Sequence, residues 1–212
     1  MAPPISDAVV VDVLRRVDRL ATPLVRRLGR PPTLPPEQRD AWWAEQVSLV
    51  GAAVAAAPRF LGRLADLLPL QNTVGTAVQS IAVLGVAGEH EVTDPAERVS
   101  LLARVLLARD LPPDRVRPLL THASGTYRGE VLGQKPGPVR TLWRLTRLLS
   151  RIDDALDVRP KGKLRHRALA NLPVVGVLGG YAAEREGLRR AAGRAGEALA
   201  GQRAGVRADR LA

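Results

Sequence analysis

Apolar side chains in the first thirty residues fall at Val10, Val13, Leu14, Val17, Ala21, Leu24 and Leu28, with Arg15, Arg16, Asp18, Arg19, Arg26 and Arg27 between them. Spacings of three and four gather apolar groups on one side of an α-helix, so this stretch predicts an amphipathic helix. Ser6 is a favoured N-cap residue type and Asp7 suits the positive end of the helix dipole, so the helix is expected to start there. Pro23 lacks an amide hydrogen and is expected to kink or restart it. Gly29 followed by Arg30-Pro31-Pro32 should end it.

A second helix is expected over about Glu37–Ala57, polar at its start and small and uncharged at its end. Trp42 and Trp43 are neighbours in it, so one should pack in the core while the other sits at its rim. Pro58 should open a short helix, Arg59–Leu68, with Phe60, Leu61, Leu64 and Leu67 on one face. From Leu67 to Gly88 there are 22 residues without a charge. That is long enough for a bilayer, which takes about 20 apolar residues. The stretch nevertheless contains Pro69, Gln71, Asn72, Thr73, Thr76, Gln79 and Ser80, and reads as a central helix buried on most sides.

Asp94-Pro95-Ala96-Glu97 resembles a capping box, with Pro at the first helical position. The helix behind it should bury Val99, Leu102, Val105 and Leu106 and stop at Asp110-Leu111-Pro112-Pro113. Asp114 can cap a short helix to about Ala123. Ser124–Pro138, rich in Gly and Pro, reads as a long loop, and the end beyond about Gly201 as frayed. No stretch alternates as a strand does and no internal repeat is visible. The expectation is an all-α chain, residues 1–212 forming one bundle-like domain of about seven helices.

Composition narrows the chemistry. Hydrophobic residues make up 46% and aromatics only 3%, a core of small and branched aliphatics suited to closely packed helices. There is no Cys, which excludes disulfides, thiolate metal sites and cysteine nucleophiles. The start of the chain lacks a basic and then apolar leader, so a cytoplasmic location is expected. GxSxG, HExxH, P-loop and GxGxxG motifs are missing. Asp153 and Asp154 are adjacent, so on a helix they diverge by about 100° and make a poor acid–base pair. Glu89-His90-Glu91 with Asp94 is the densest set of metal-ligand types, but with one His it reads as a polar loop. The expectation is a non-enzymatic protein without catalytic residues, metal or cofactor.

Charge changes the picture most. Of 32 basic residues only Lys135, Lys161 and Lys163 are Lys, and the formal net charge is +11. Residues 1–106 hold 11 basic and 11 acidic side chains; residues 107–212 hold 21 and 10. Residues 140–167 alone hold nine basic and three acidic. Within a helix expected over Val139–Leu156, Arg140, Arg144, Arg147 and Arg151 fall within about 60° of one another. Leu145, Leu148, Leu149, Ile152 and Leu156 lie opposite, and Trp143 sits near the stripe's boundary. Lys161 and Lys163 extend the positive charge.

Such a stripe suits an anionic membrane surface or a membrane protein. Nucleic acid is an alternative partner, although aromatics interleaved for base stacking are missing. A small-ligand pocket between helices is a third reading. The plain alternative is a solvated face, in an Arg-over-Lys, Ala- and Gly-rich sequence of the kind a GC-rich genome produces. Further on, Gly176, Gly180, Ala183 and Gly187, continued by Ala191 and Ala195, form a small-residue seam that lets another helix backbone come close.

Two stretches together resemble the EcsC family. One runs from Leu68-Pro69-Leu70 through Val83-Leu84-Gly85-Val86-Ala87-Gly88 to Val92-Thr93-Asp94-Pro95-Ala96-Glu97-Arg98. The other is Leu172-Pro173-Val174-Val175-Gly176-Val177-Leu178-Gly179-Gly180-Tyr181 with the small-residue helix to about Ala198. They match that family's pairing of a DP-x-E-R helix start with a late LP-x-x-G segment. The resemblance implies a helical protein of poorly defined function in membrane or transporter-linked contexts, with no catalytic residues to carry over. Gly88–Glu97 alone also resembles the TerB-like helical family, in which acidic residues before DP-x-E could bind a cation.

Overall fold

The computed structural model describes residues 5–29, 31, 33–56, 71–122, 138–152 and 176–209. All regular structure among them is helical: α1 (Asp7–Leu28), α2 (Pro36–Ala56), α3 (Gln71–Glu89), α4 (Pro95–Leu107), α5 (Pro113–His122), α6 (Pro138–Leu149) and α7 (Gly176–Asp209). The helix expected at Arg59–Leu68, nearly all of the Ser124–Pro138 loop, Asp153, Asp154 and the Lys161 and Lys163 extension lie outside the described residues.

The centre of the packing is α3, which touches α1, α2, α4, α6 and α7. Every residue from Thr73 to Ala87 except Val74 is buried, so over these residues the uncharged stretch is an interior helix as expected. No helix among the described residues is long and apolar enough to cross a membrane. Polar groups are carried inside at low cost where they bond locally. Ser80 Oγ donates to the Ala77 carbonyl at 2.7 Å. Small residues bring neighbours close: Gly85 lies against the indole of Trp43, leaving no room for a side chain. Trp43 is buried and Trp42 half-buried, edge to face at 5.0 Å.

The helix starts depart from expectation in instructive ways. Ser6 occupies the N-cap of α1, but its side chain makes no capping bond. Arg109, beyond the end of α4, fixes this start instead, donating Nη1 to the Ile5 carbonyl at 2.9 Å and to Asp7 at 3.2 Å. Pro23 does not break α1, which runs unbroken to Leu28. Its ring is exposed, as is Arg19, whose carbonyl would have received the missing hydrogen bond, so water can serve that group. Gly29, at φ 53°, ends the helix as expected.

Asp94 accepts from the Ala96 amide at 3.0 Å with Pro95 in the first turn. The cap is one-sided: its second oxygen accepts from Arg117 at 3.0 Å, and Glu97 returns no bond. Asp114 is not the cap of α5. Pro113 opens that helix, Asp114 sits in its first turn bonded to Arg117 at 2.7 Å, and the Pro112 carbonyl accepts from Arg115 and Val116. At the far end, α7 stays helical through Asp209, past the expected fraying near Gly201. Its last turns are made of Ala, Arg, Gln and Asp with a single Gly and Val, and Ala, Arg and Gln are good helix formers.

Ion pairs tie helix to helix across long separations. Arg98 on α4 meets Asp18 on α1 at 2.7 Å. Glu45 on α2 receives Arg185 at 3.0 Å and Arg189 at 2.7 Å from α7.

Candidate functional site

Helix α6 packs against α1 and α3. Its inner face is Leu142, Leu145 and Leu149, all fully buried, and Ile152 continues it in a single 3₁₀ turn over 150–152. Thr141 and Thr146 flank this strip, and the Thr146 hydroxyl bonds back to the Leu142 carbonyl at 3.0 Å. The burial follows the apolar spacing, which orients the helix and turns its basic side outward.

On that outer side Arg140, Arg147 and Arg151 are exposed and Arg144 is half-buried. None of the four makes an ion pair or side-chain hydrogen bond with another described residue. By contrast, Arg16, Arg39, Arg98, Arg104, Arg109, Arg117, Arg185, Arg189 and Arg190 all reach a carboxylate. Trp143 is 51% exposed and, with Val9, one of two large apolar side chains left in water among the described residues. At about 100° per residue it lies some 60° from Arg140 and 40° from Arg147, alongside the cations. The structure thus assembles Arg140, Trp143, Arg144, Arg147 and Arg151 into one surface.

The small-residue seam has a different fate. Gly187, Ala191 and Ala195 are buried, on a helix that packs against α2 and α3. Close helix approach is what small residues provide, and at Gly187, Ala191 and Ala195 the partner is within the chain. At Gly196 a side chain would meet Asp40 Oδ2 at 2.6 Å. Gly176, Gly180 and Ala183 lie in the first turns of the same helix.

The Glu89-His90-Glu91 segment is drawn into packing. Glu89 Oε1 accepts from Trp43 Nε1 at 3.1 Å, with Arg39 Nε at 3.9 Å from its other oxygen. His90 Nε2 lies 3.3 Å from Asp40 Oδ2. Among the described residues, no three His, Asp or Glu side chains come together as metal ligands. Two carboxyls are held below their ordinary range. For Asp94 the main cause is the Ala96 amide, with Arg117 adding to it. For Glu45 it is the hydrogen bond from Arg189, then that from Arg185.

Sequence reasoning did not anticipate the polar cluster where Arg98 joins Asp18 and Thr22, nor that Arg15 would donate to the Leu120 carbonyl at 3.0 Å. These partners are 76 to 105 residues apart, and helical periodicity names a face without naming what lies across from it. Compared with family models, with curated proteins and with solved structures, the chain finds no match.

Proposed function

We propose that this protein associates peripherally with anionic membrane surfaces through the outer face of α6. The observation that carries the reading is that Arg140, Arg144, Arg147 and Arg151 have no carboxylate partner among the described residues while sharing a face with the exposed Trp143. Nine arginines elsewhere reach a carboxylate, whereas none of these four does so among the described residues, which leaves their charge available to a partner.

Magnitudes set the character of the binding. Each cation near an anionic leaflet contributes about 1 kcal/mol. Burying the exposed half of an indole, on the order of 100 Å² at about 25 cal/mol per Å², adds about 2.5 kcal/mol. A total of about 6 kcal/mol, before the cost of orienting the protein, corresponds to reversible and salt-sensitive attachment. The tryptophan supplies the part of the affinity that salt does not screen. The EcsC-like resemblance, with its membrane contexts, belongs to the same proposal, as does a non-enzymatic role in the cytoplasm.

Vesicle flotation tests it. Binding to phosphatidylcholine vesicles containing phosphatidylglycerol should exceed binding to phosphatidylcholine alone and should weaken with salt. Equal recovery with both vesicles at low salt contradicts the proposal. A low-salt gel shift with nucleic acid in place of vesicle binding would move the surface to the alternative partner.

A further inference from the structure

On the outer face of α6 the surroundings of Arg147 set it apart from the other three arginines. Side chains three and four positions away flank a helical residue, with Cβ atoms about 5–6 Å apart. For Arg147 these are Trp143, Arg144, Ser150 and Arg151, none of them acidic. Trp143, Ser150 and Arg151 are exposed and Arg144 is half-buried, so nothing large covers Arg147 from either side. The path continues to Arg151 through the 3₁₀ turn over 150–152, where Ser150 Oγ donates to the Arg147 carbonyl at 2.9 Å. Three guanidiniums, those of Arg144, Arg147 and Arg151, can therefore reach one point above Arg147.

Like charges one turn apart repel, and Arg147 belongs to two such pairs. An anion shared by the three side chains turns both repulsions into attractions. Arg144 is the least free of the three, one turn from the buried Thr141 and the half-buried Leu148, so it has less rotamer freedom to lose on binding. Arginine meets phosphate with a planar fork and two parallel N–H···O bonds, which the point charge of lysine does not reproduce. The indole of Trp143, one turn before Arg147 and 51% exposed, adds apolar area beside the cations. A lipid covers such an amphipathic ring at the headgroup level, and a free phosphate ion does not.

Resting on the membrane reading of this face, we propose that α6 selects lipids whose headgroup is a phosphate monoester, of the phosphatidic acid type. One phosphate lies over Arg147, between Arg144 and Arg151, with Trp143 against the glycerol and upper acyl chain. A phosphate monoester carries close to two negative charges at neutral pH and offers three terminal oxygens, one toward each guanidinium. A diester headgroup such as that of phosphatidylglycerol has a single charge and fewer free oxygens, so it serves the three side chains less well.

Flotation of the full chain tests this with phosphatidylcholine vesicles containing either phosphatidic acid or phosphatidylglycerol, adjusted to equal electrophoretic mobility so that surface charge is matched. The parent should bind the phosphatidic acid vesicles about tenfold more tightly. Arg147→Lys keeps the charge and removes the fork. It should bind phosphatidylglycerol vesicles within about twofold of the parent, while its preference for phosphatidic acid falls to about threefold or less. Arg194→Lys on α7 should keep the full preference, and far-UV circular dichroism checks that both variants stay folded. Sodium phosphate and sodium chloride at equal ionic strength should release the bound parent equally. Equal binding of the parent to both charged vesicles, above that to phosphatidylcholine alone, overturns the headgroup selection and leaves the membrane reading standing. No binding to either overturns both. A preference kept in full by Arg147→Lys overturns the guanidinium site and traces the selection to packing defects under the small headgroup. Greater release by phosphate than by chloride overturns the lipid as the source of the phosphate.

Discussion

Adding one methyl group at two glycines of the same helix should move stability in opposite directions. A Cβ at residue 85 would overlap Cδ2, Cε3 and Cε2 of Trp43, the rigid fused part of the indole. That ring cannot simply retreat: it is 3% exposed, packs edge to face on Trp42, and bonds through Nε1 to Glu89 at 3.1 Å. Overpacking a well-filled core costs about 1–3 kcal/mol, and replacing a helical glycine by alanine returns up to about 1 kcal/mol. Gly85→Ala should therefore destabilise by about 1–2 kcal/mol, or lower Tm by roughly 2–8 °C for a chain of this length. Gly88, three residues on, is exposed with no atom within 4 Å of its added Cβ. Gly88→Ala should stabilise, by at most about 1 kcal/mol. Guanidinium unfolding followed by far-UV circular dichroism measures both. If both variants shift in the same direction, the close packing of Gly85 on Trp43 is refuted.

Other substitutions test the ends and ties of the bundle. Ala108 caps α4 with φ 50°, a conformation that suits glycine, so Ala108→Gly should raise stability by about 1 kcal/mol in a thermal melt. Asp18→Asn leaves Arg98 without its counter-ion in a largely buried site and should cost about 2–4 kcal/mol in urea unfolding. The carboxyl of Asp94 has a lowered pKa, so the unfolded chain takes up its proton more readily. Its stabilising contribution is complete above the ordinary Asp pKa of about 3.9 and is lost as pH falls through and below that value. Asn is also a good N-cap, so Asp94→Asn should differ most from the parent at neutral pH and converge with it in acid; a pH-independent difference would contradict the sign.

What the sequence made legible was set by contrast between apolar and charged positions. In α1, α4 and α6 the two alternate with helical spacing, and the buried residues include Val10, Leu14, Val99, Leu102, Leu145 and Ile152, all expected to face inward. Residues 73–87 of α3 lack such a pattern because nearly all of them are buried. The central position of α3 could be read only from the absence of charge. Pairings were illegible for a different reason. Asp18 with Arg98, Trp43 with Glu89 and Glu45 with Arg185 and Arg189 join separate helices, and no spacing rule reaches across a loop. The starts of α1 and α4 fall at Ser6 and Asp94 as expected, but the guanidiniums that bond beside them, Arg109 and Arg117, come from beyond those helices and no local rule names them. The α6 stripe was visible because it is local; that its arginines meet no carboxylate among the described residues, beside an exposed Trp143, was not.

The most direct test of anionic-surface binding through α6 separates position from net charge. Arg147→Glu and Arg194→Glu change the charge equally, on exposed sites of α6 and α7. In flotation with phosphatidylglycerol-containing vesicles, Arg147→Glu should lose about tenfold or more in binding, while Arg194→Glu should stay close to the parent. Equal binding by the two variants would mean that overall basicity, and not the α6 face, draws the protein to the surface.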